Sequence, residues 1–153
     1  MLEEHGRALL RFCISQVGAD RGEDVFQETM IAALRAYGTL EDPAAARSWL
    51  FSIAARKAID AHRAAGRAPL PLADPGRLAD GAAVDPPAAD GDELWREVAR
   101  LPDKQRQAVA LRFLADLSHR EIGAVMRTSE AAARRNVFEG VRRLREDLTD
   151  PAD

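Results

Sequence analysis

Residues 118–148 read SHREIGAVMRTSEAAARRNVFEGVRRLREDL. Ser118, followed three residues later by Glu121, is the signature of a capping box. The serine side chain accepts from the backbone of the first turn, and the glutamate reaches back to the serine N–H. This predicts a short helix running to about Met126. Ser129 predicts the cap of a longer helix that ends near Leu148. At one residue per 100°, Ala133, Val137, Val141, Leu144 and Leu148 fall within an arc of about 80° and face a core. Ala131, Arg135, Phe138, Glu139 and Arg142 lie opposite, with Arg134 on the flank. A short helix, a turn of about three residues and a longer basic helix make a helix-turn-helix. Arginine forks pair with guanine edges and grip phosphates, so this face suits the major groove of DNA. The plainer alternative is a solvated face that keeps a small helix soluble; the capped helix just upstream weighs against it.

Working back along the chain, Leu94 to Ala99 predicts one helix and Pro102 opens another that runs to Ala115. Before them, residues 68–92 read APLPLADPGRLADGAAVDPPAADGD. Repeated prolines remove backbone donors and break helices, and no period is sustained, so an extended, mobile tether is expected. The chain therefore divides into a module over 1–66, a linker over 67–92 and a module over 93–149. The first module reads as three helices. Leu2 to Val17 carries a stripe of Leu9, Leu10, Phe12, Cys13 and Ile14. Asp20 to Tyr37 follows, with Gly38 as its stop. Pro43 marks entry to a third helix near Ala44 to Ala65, closed by Gly66. Strand signals are poor, since no period-two run appears. The expected fold class is all-α: two small helical domains joined by a flexible linker.

Two outer faces of the first module are informative. In the second helix, Val25, Phe26, Thr29, Ala33 and Tyr37 share the core side. Asp24, Gln27, Glu28, Ile31 and Arg35 line the other, and an isoleucine amid polar residues fits a protein partner as well as it fits plain exposure. The third helix carries Trp49, Phe51, Arg56, Lys57 and Arg63. Aromatic and basic residues together suit single-stranded nucleic acid, because bases stack on rings while cations track phosphates. Core filling is the alternative, and it is preferred for Phe51.

The formal net charge of −3 hides an uneven distribution. Residues 67–93 carry two basic and six acidic side chains, whereas 118–145 carries seven arginines against three glutamates. A phosphate backbone responds to that local potential more than to the global sum. A single cysteine, Cys13, excludes an internal disulfide and is expected to be a small buried apolar residue in a reducing cytoplasm. There is no apolar run of 18 residues for a membrane span and no secretory signal pattern at Met1-Leu2-Glu3-Glu4-His5. His5, His62 and His119 fall on three segments, and no nucleophile triad, paired-carboxylate site or Gly-rich phosphate loop appears. No enzyme activity, cofactor or metal is expected.

Four segments in order carry a family resemblance. They are Glu23-Asp24-Val25-Phe26-Gln27-Glu28-Thr29, then Arg47-Ser48-Trp49-Leu50-Phe51-Ser52-Ile53-Ala54. After the linker come Leu101-Pro102-Asp103-Lys104-Gln105-Arg106 and Leu117-Ser118-His119-Arg120-Glu121-Ile122-Gly123. The chain resembles the extracytoplasmic-function (ECF) class of bacterial RNA polymerase sigma factors, over nearly its whole length outside the linker. The resemblance implies sigma domains two and four and a role in directing core polymerase to promoters. It also implies that Asp24, Gln27, Glu28, Ile31 and Arg35 dock on the β′ clamp helices, and that domain four meets the β flap. The loop Gly38 to Ala46, with Leu40, Glu41 and Asp42, would capture a flipped minus-ten base, while Trp49, Arg56 and Lys57 follow the melted strand. Ser129, Glu130, Ala131, Arg134, Arg135, Phe138 and Arg142 would meet the minus-thirty-five element. An anti-sigma partner typically covers both domains.

The chain departs from the family pattern at Arg127, where the turn usually has glycine. Thr128 and Ala133 stand where larger apolar residues are common, and Asn136 and Glu139 where basic ones are frequent. Two rival readings remain at this stage: a one-component helix-turn-helix regulator, and a sigma mimic that titrates an anti-sigma factor without initiating transcription.

Overall fold

The structure, a computed structural model, describes residues 2–64 and 92–149, and every regular element among them is helical. Among the described residues there are seven α-helices: α1 (Leu2–Val17), α2 (Ala19–Ala36), α3 (Ala46–Ala64), α4 (Asp92–Ala99), α5 (Asp103–Phe113), α6 (His119–Met126) and α7 (Glu130–Thr149). Two 3₁₀ turns, Tyr37–Thr39 and Pro43–Ala45, bracket the loop between α2 and α3. Residues 67–91 of the expected linker lie outside the described residues, and its last residue, Asp92, opens α4.

In the first module α1, α2 and α3 all pack on one another. The apolar spacing of each supplies the shared core. Leu9, Phe12 and Cys13 come from α1, Val25 and Ala33 from α2, and Leu50, Phe51, Ala54, Ala55 and Ala58 from α3, all buried. Phe12 and Phe51 meet edge to face with centroids 5.6 Å apart, a favoured aromatic geometry. Gly22 lets α1 and α2 approach closely, since a β-carbon there would lie 2.7 Å from the Ile14 Cα.

In the second module α7 packs against α4, α5 and α6. Ala133, Val137 and Leu144 of its predicted apolar stripe are buried. The capping box forms as the sequence requires: Glu121 N–H donates to Ser118 Oγ at 3.1 Å, and Ser118 N–H donates to Glu121 Oε1 at 2.8 Å. Ser129 Oγ accepts from Ala132 N–H at 3.0 Å and caps α7.

Three expectations need correction. Tyr37 is half exposed rather than part of the core, because α2 ends at Ala36 and the 3₁₀ turn swings the ring away from the helical stripe. Gly38 therefore sits inside that turn and does not terminate the helix. Pro102 is the N-cap of α5, with ψ 151, not a residue of its first turn.

The larger departure is between the modules, which were expected to be independent. They pack together: α1 touches α4 and α5, and α3 touches α6. One cluster of buried apolar residues runs through both modules, from Leu9 and Phe51 to Leu111 and Ile122. Arg47 of α3 and Asp116, beyond α5, also form an exposed ion pair across the join at 3.8 Å.

Candidate nucleic-acid interface

The outer side of α7 is cationic and apolar at different heights. Ser129, Glu130 and Ala131 are exposed at its start, followed by Arg134 and Arg135. Arg134 Nη2 pairs with Glu130 Oε2 at 3.3 Å. Arg135 makes no ion pair among the described residues. Phe138 is 64% exposed, a large apolar side chain in water. Further along, Arg142 is held by Glu139 on one side and by Glu146 Oε2, at 3.4 Å, on the other. The Glu139 hydrogen bond and charge, with Glu146 adding to them, raise the affinity of Arg142 for its proton. Arg134 and Arg142 are thus each shared with glutamates, and Arg135 is the arginine of this side with no such partner among the described residues.

The turn that aims α7 is the atypical one. Arg127 adopts the left-handed conformation, φ 60 and ψ 46, as expected for a position where glycine is usual. Thr128 N–H donates to Gly123 O at 2.8 Å and Arg127 N–H to Ala124 O at 3.3 Å, the paired bonds of a Schellman turn. Gly123 is required beneath it: a β-carbon there would lie 2.9 Å from Thr128 O and 3.1 Å from Ser129 O.

A second candidate surface lies on the first module. The 3₁₀ turns fold the loop before α3 over Trp49. Thr39 Oγ1 donates to Ala36 O at 2.7 Å, and Asp42 Oδ1 accepts from Ala44 N–H at 3.0 Å. Asp42 therefore spends one carboxylate oxygen on holding the loop. A cleft of about 370 Å³ results, with Thr39, Leu40, Glu41, Asp42 and Trp49 on one side. The Trp49 ring is half-buried and meets Tyr37 edge-on, with centroids 6.5 Å apart. The opposite wall is not from this module; it is Ala124 and Val125 of α6. Arg56, exposed, and Lys57, half-buried, continue along α3.

The third surface is the outer side of α2. Asp24, Gln27, Glu28, Ile31 and Arg35 are all exposed, Ile31 at 51%. Leu34, 63% exposed, was missed in the sequence. Its spacing of three from Ile31 was the available signal, since i and i+3 share a helix side.

At the join between modules, Arg106 is 5% exposed. Its Nη1 pairs with Asp103 Oδ1 at 3.0 Å, its Nε donates to Gln16 Oε1 at 3.2 Å, and its Nη2 lies 3.1 Å from His62 Nε2. Burial, and then the Arg106 charge, push His62 below the ordinary histidine range. Burial alone pushes the Cys13 thiol up to about 12, the inert buried cysteine that was expected.

A family model described as Sigma-70 region 2 matches residues 1–68, and one described as Sigma-70, region 4 matches residues 91–144. The ECF RNA polymerase sigma factor SigD of Mycobacterium tuberculosis is 30% identical over 164 residues, spanning 100% of this chain and 77% of that protein. The chain belongs to the ECF RNA polymerase sigma factors. Among other ECF relatives, SigF of Caulobacter vibrioides is 34% identical over 127 residues, spanning 82% of this chain and 70% of that one. The fold matches that of the sigma factor RpoE from Bartonella quintana, solved with the anti-sigma factor NepR, at a TM-score of 0.79 and 22% identity. That match covers 98% of this chain and 95% of the other. CnrH, solved with the cytosolic domain of CnrY, matches at a TM-score of 0.68 and 21% identity, covering 99% and 86%. As an ECF sigma factor the chain is a transcription initiation factor that binds RNA polymerase and promoter DNA. A match to region 2 across the first module sets aside the one-component regulator, which had no task for α2 and α3. No described helix is long and apolar enough to cross a membrane.

Proposed function

We propose that this sigma factor divides its work among the three surfaces described above. Residues 1–66 act as domain two, 93–149 as domain four and 67–92 as the linker. The outer side of α2 docks on the β′ clamp helices through Ile31 and Leu34, with Asp24, Gln27, Glu28 and Arg35 supplying polar register. Leu40, Glu41, Asp42 and Trp49 receive an unstacked minus-ten base, and Arg56 and Lys57 follow the strand. Ser129, Glu130, Ala131, Arg134, Arg135, Phe138 and Arg142 meet the minus-thirty-five duplex, and the same domain engages the β flap. An anti-sigma partner controls the factor, a reading supported by the two solved relatives captured with such partners.

The observation that carries this reading is α2. Two large aliphatic side chains stand more than half exposed among acids and an amide, whereas a purely solvated helix side would keep them inside. The test is the double variant Asp24→Lys with Glu28→Lys. It should lose binding to core polymerase by at least tenfold, with helicity and melting temperature nearly unchanged, because exposed charges contribute little to folding. Normal core binding by that variant removes α2 as the docking surface. Run-off transcription with core polymerase separates a working factor from a mimic.

A further inference from the structure

Arg106 is part of the Leu101–Arg106 segment that carried the family resemblance, yet none of the three working surfaces uses it. A buried guanidinium needs full compensation, and its partners come from three helices. Asp103 shares α5, but Gln16 belongs to α1 and His62 to α3. The side chain is therefore a bolt driven from the second module into the first.

The bolt depends on the state of one nitrogen. His62 Nε2 lies 2.9 Å from the Gln16 carbonyl oxygen and 3.1 Å from Arg106 Nη2. It accepts from Arg106 only while it carries no proton, since a guanidinium has donors and no acceptor. A proton on Nε2 is donated to the Gln16 carbonyl, and once Nδ1 is protonated as well the ring is a second cation set against Arg106. The groups acting on His62 are Arg106 and Asp103 of α5, Arg21 of α2 and the Gln16 carbonyl of α1; Arg21 itself donates to Ala61 O at 3.4 Å. Only Asp103 and the carbonyl favour a charged ring, and Asp103 is already engaged with Arg106.

We propose that Arg106 and His62 form a proton-sensitive latch that holds domain four closed over the strand cleft of domain two. In the closed form Ala124 and Val125 of α6 line one edge of that cleft and narrow it, so the latch is autoinhibitory if the cleft takes a promoter base; that last clause rests on the function proposed above. The sign follows from linkage. The closed state disfavours the imidazolium, so it binds fewer protons than the open state. Closure is complete above the ordinary histidine value near 6.5 and weakens as pH falls below it. The open-to-closed ratio rises by up to about tenfold for each unit by which closure depresses the histidine.

The test is an inter-module distance in the full-length chain. Fluorophores on Asp20→Cys in α2 and Arg143→Cys in α7, both exposed positions, label selectively because the Cys13 thiol is buried and protonated. Energy transfer is read at pH 8 and pH 5.5. The chain with His62 intact should shift to longer distances in acid, and His62→Gln, neutral at both pH values, should abolish the shift. Arg106→Gln should be open at both. A distance that ignores pH, or an acid shift that survives in His62→Gln, overturns the latch. So does an Arg106→Gln chain, folded by circular dichroism, that stays closed at pH 8. Neither DNA nor polymerase enters the measurement, so failure of α2 docking leaves this result standing.

Discussion

At Arg127 the backbone takes a left-handed turn that carries a β-carbon, which costs on the order of 1 kcal/mol relative to glycine. Arg127→Gly relieves that strain but also loosens the unfolded chain, so the net gain should be below about 1 kcal/mol. It is measurable as a higher urea midpoint at unchanged m-value. Four residues upstream the same logic reverses. Gly123→Ala would push a methyl against two backbone carbonyl oxygens, and relieving that contact means moving the turn, at roughly 1–3 kcal/mol. An opposite response to the two substitutions checks that the turn, rather than general helix propensity, sets the stability here; alanine improving stability at position 123 would contradict the packing. The left-handed demand at Arg127 was legible through the family resemblance, in which glycine usually occupies that turn position. The need for Gly123 was not, since it arises from carbonyls that only the folded turn brings near.

At the scale of a helix, legibility followed local chemistry. α1 and α6 end where their patterns said, and Ser118, Glu121 and Ser129 make the hydrogen bonds their spacing required. Where the chain switches from α to 3₁₀ geometry, as at Tyr37, a 3.6-residue period misassigns the next side chain. Helix periodicity likewise identified the outer side of α7 but not how its charges divide. Arg135 is free of ion pairs among the described residues, while Arg142 is shared between Glu139 and Glu146. Arg135→Ala should therefore cost roughly 1–3 kcal/mol of promoter affinity and relax preference at one base position. Arg142→Ala should do less, and the paired change Glu139→Gln with Glu146→Gln should tighten binding by releasing Arg142. Fluorescence anisotropy on a minus-thirty-five duplex checks both, and an Arg142→Ala loss as large as that of Arg135→Ala would assign the carboxylates no masking role.

For the whole molecule, composition pointed to two loosely joined parts, and the structure instead runs one apolar cluster through both. The reason is physical: complementarity between surfaces far apart in sequence leaves no periodic trace, and nothing local marks Arg106 as buried before Gln16 and His62 surround it. Trp49 and Trp95, one in each module, both pack against the shared core. At pH 8 their combined fluorescence and the far-ultraviolet dichroism should lose structure at the same urea concentration, the signature of one cooperative unit. Two separated transitions would mean that the modules unfold independently. The exposed Arg47–Asp116 pair adds little to that unit, and Asp116→Asn should change its stability by less than about 1 kcal/mol. The α6 wall over the Trp49 cleft also sets an order of events. Under the role proposed for the Trp49 cleft, the rate at which the modules part sets a ceiling on strand capture. An open share of about one molecule in a hundred weakens apparent strand affinity about a hundredfold, whatever the contacts inside the cleft are worth. On that proposal, whatever holds the modules apart first removes the penalty in full, and DNA becomes the second partner to commit.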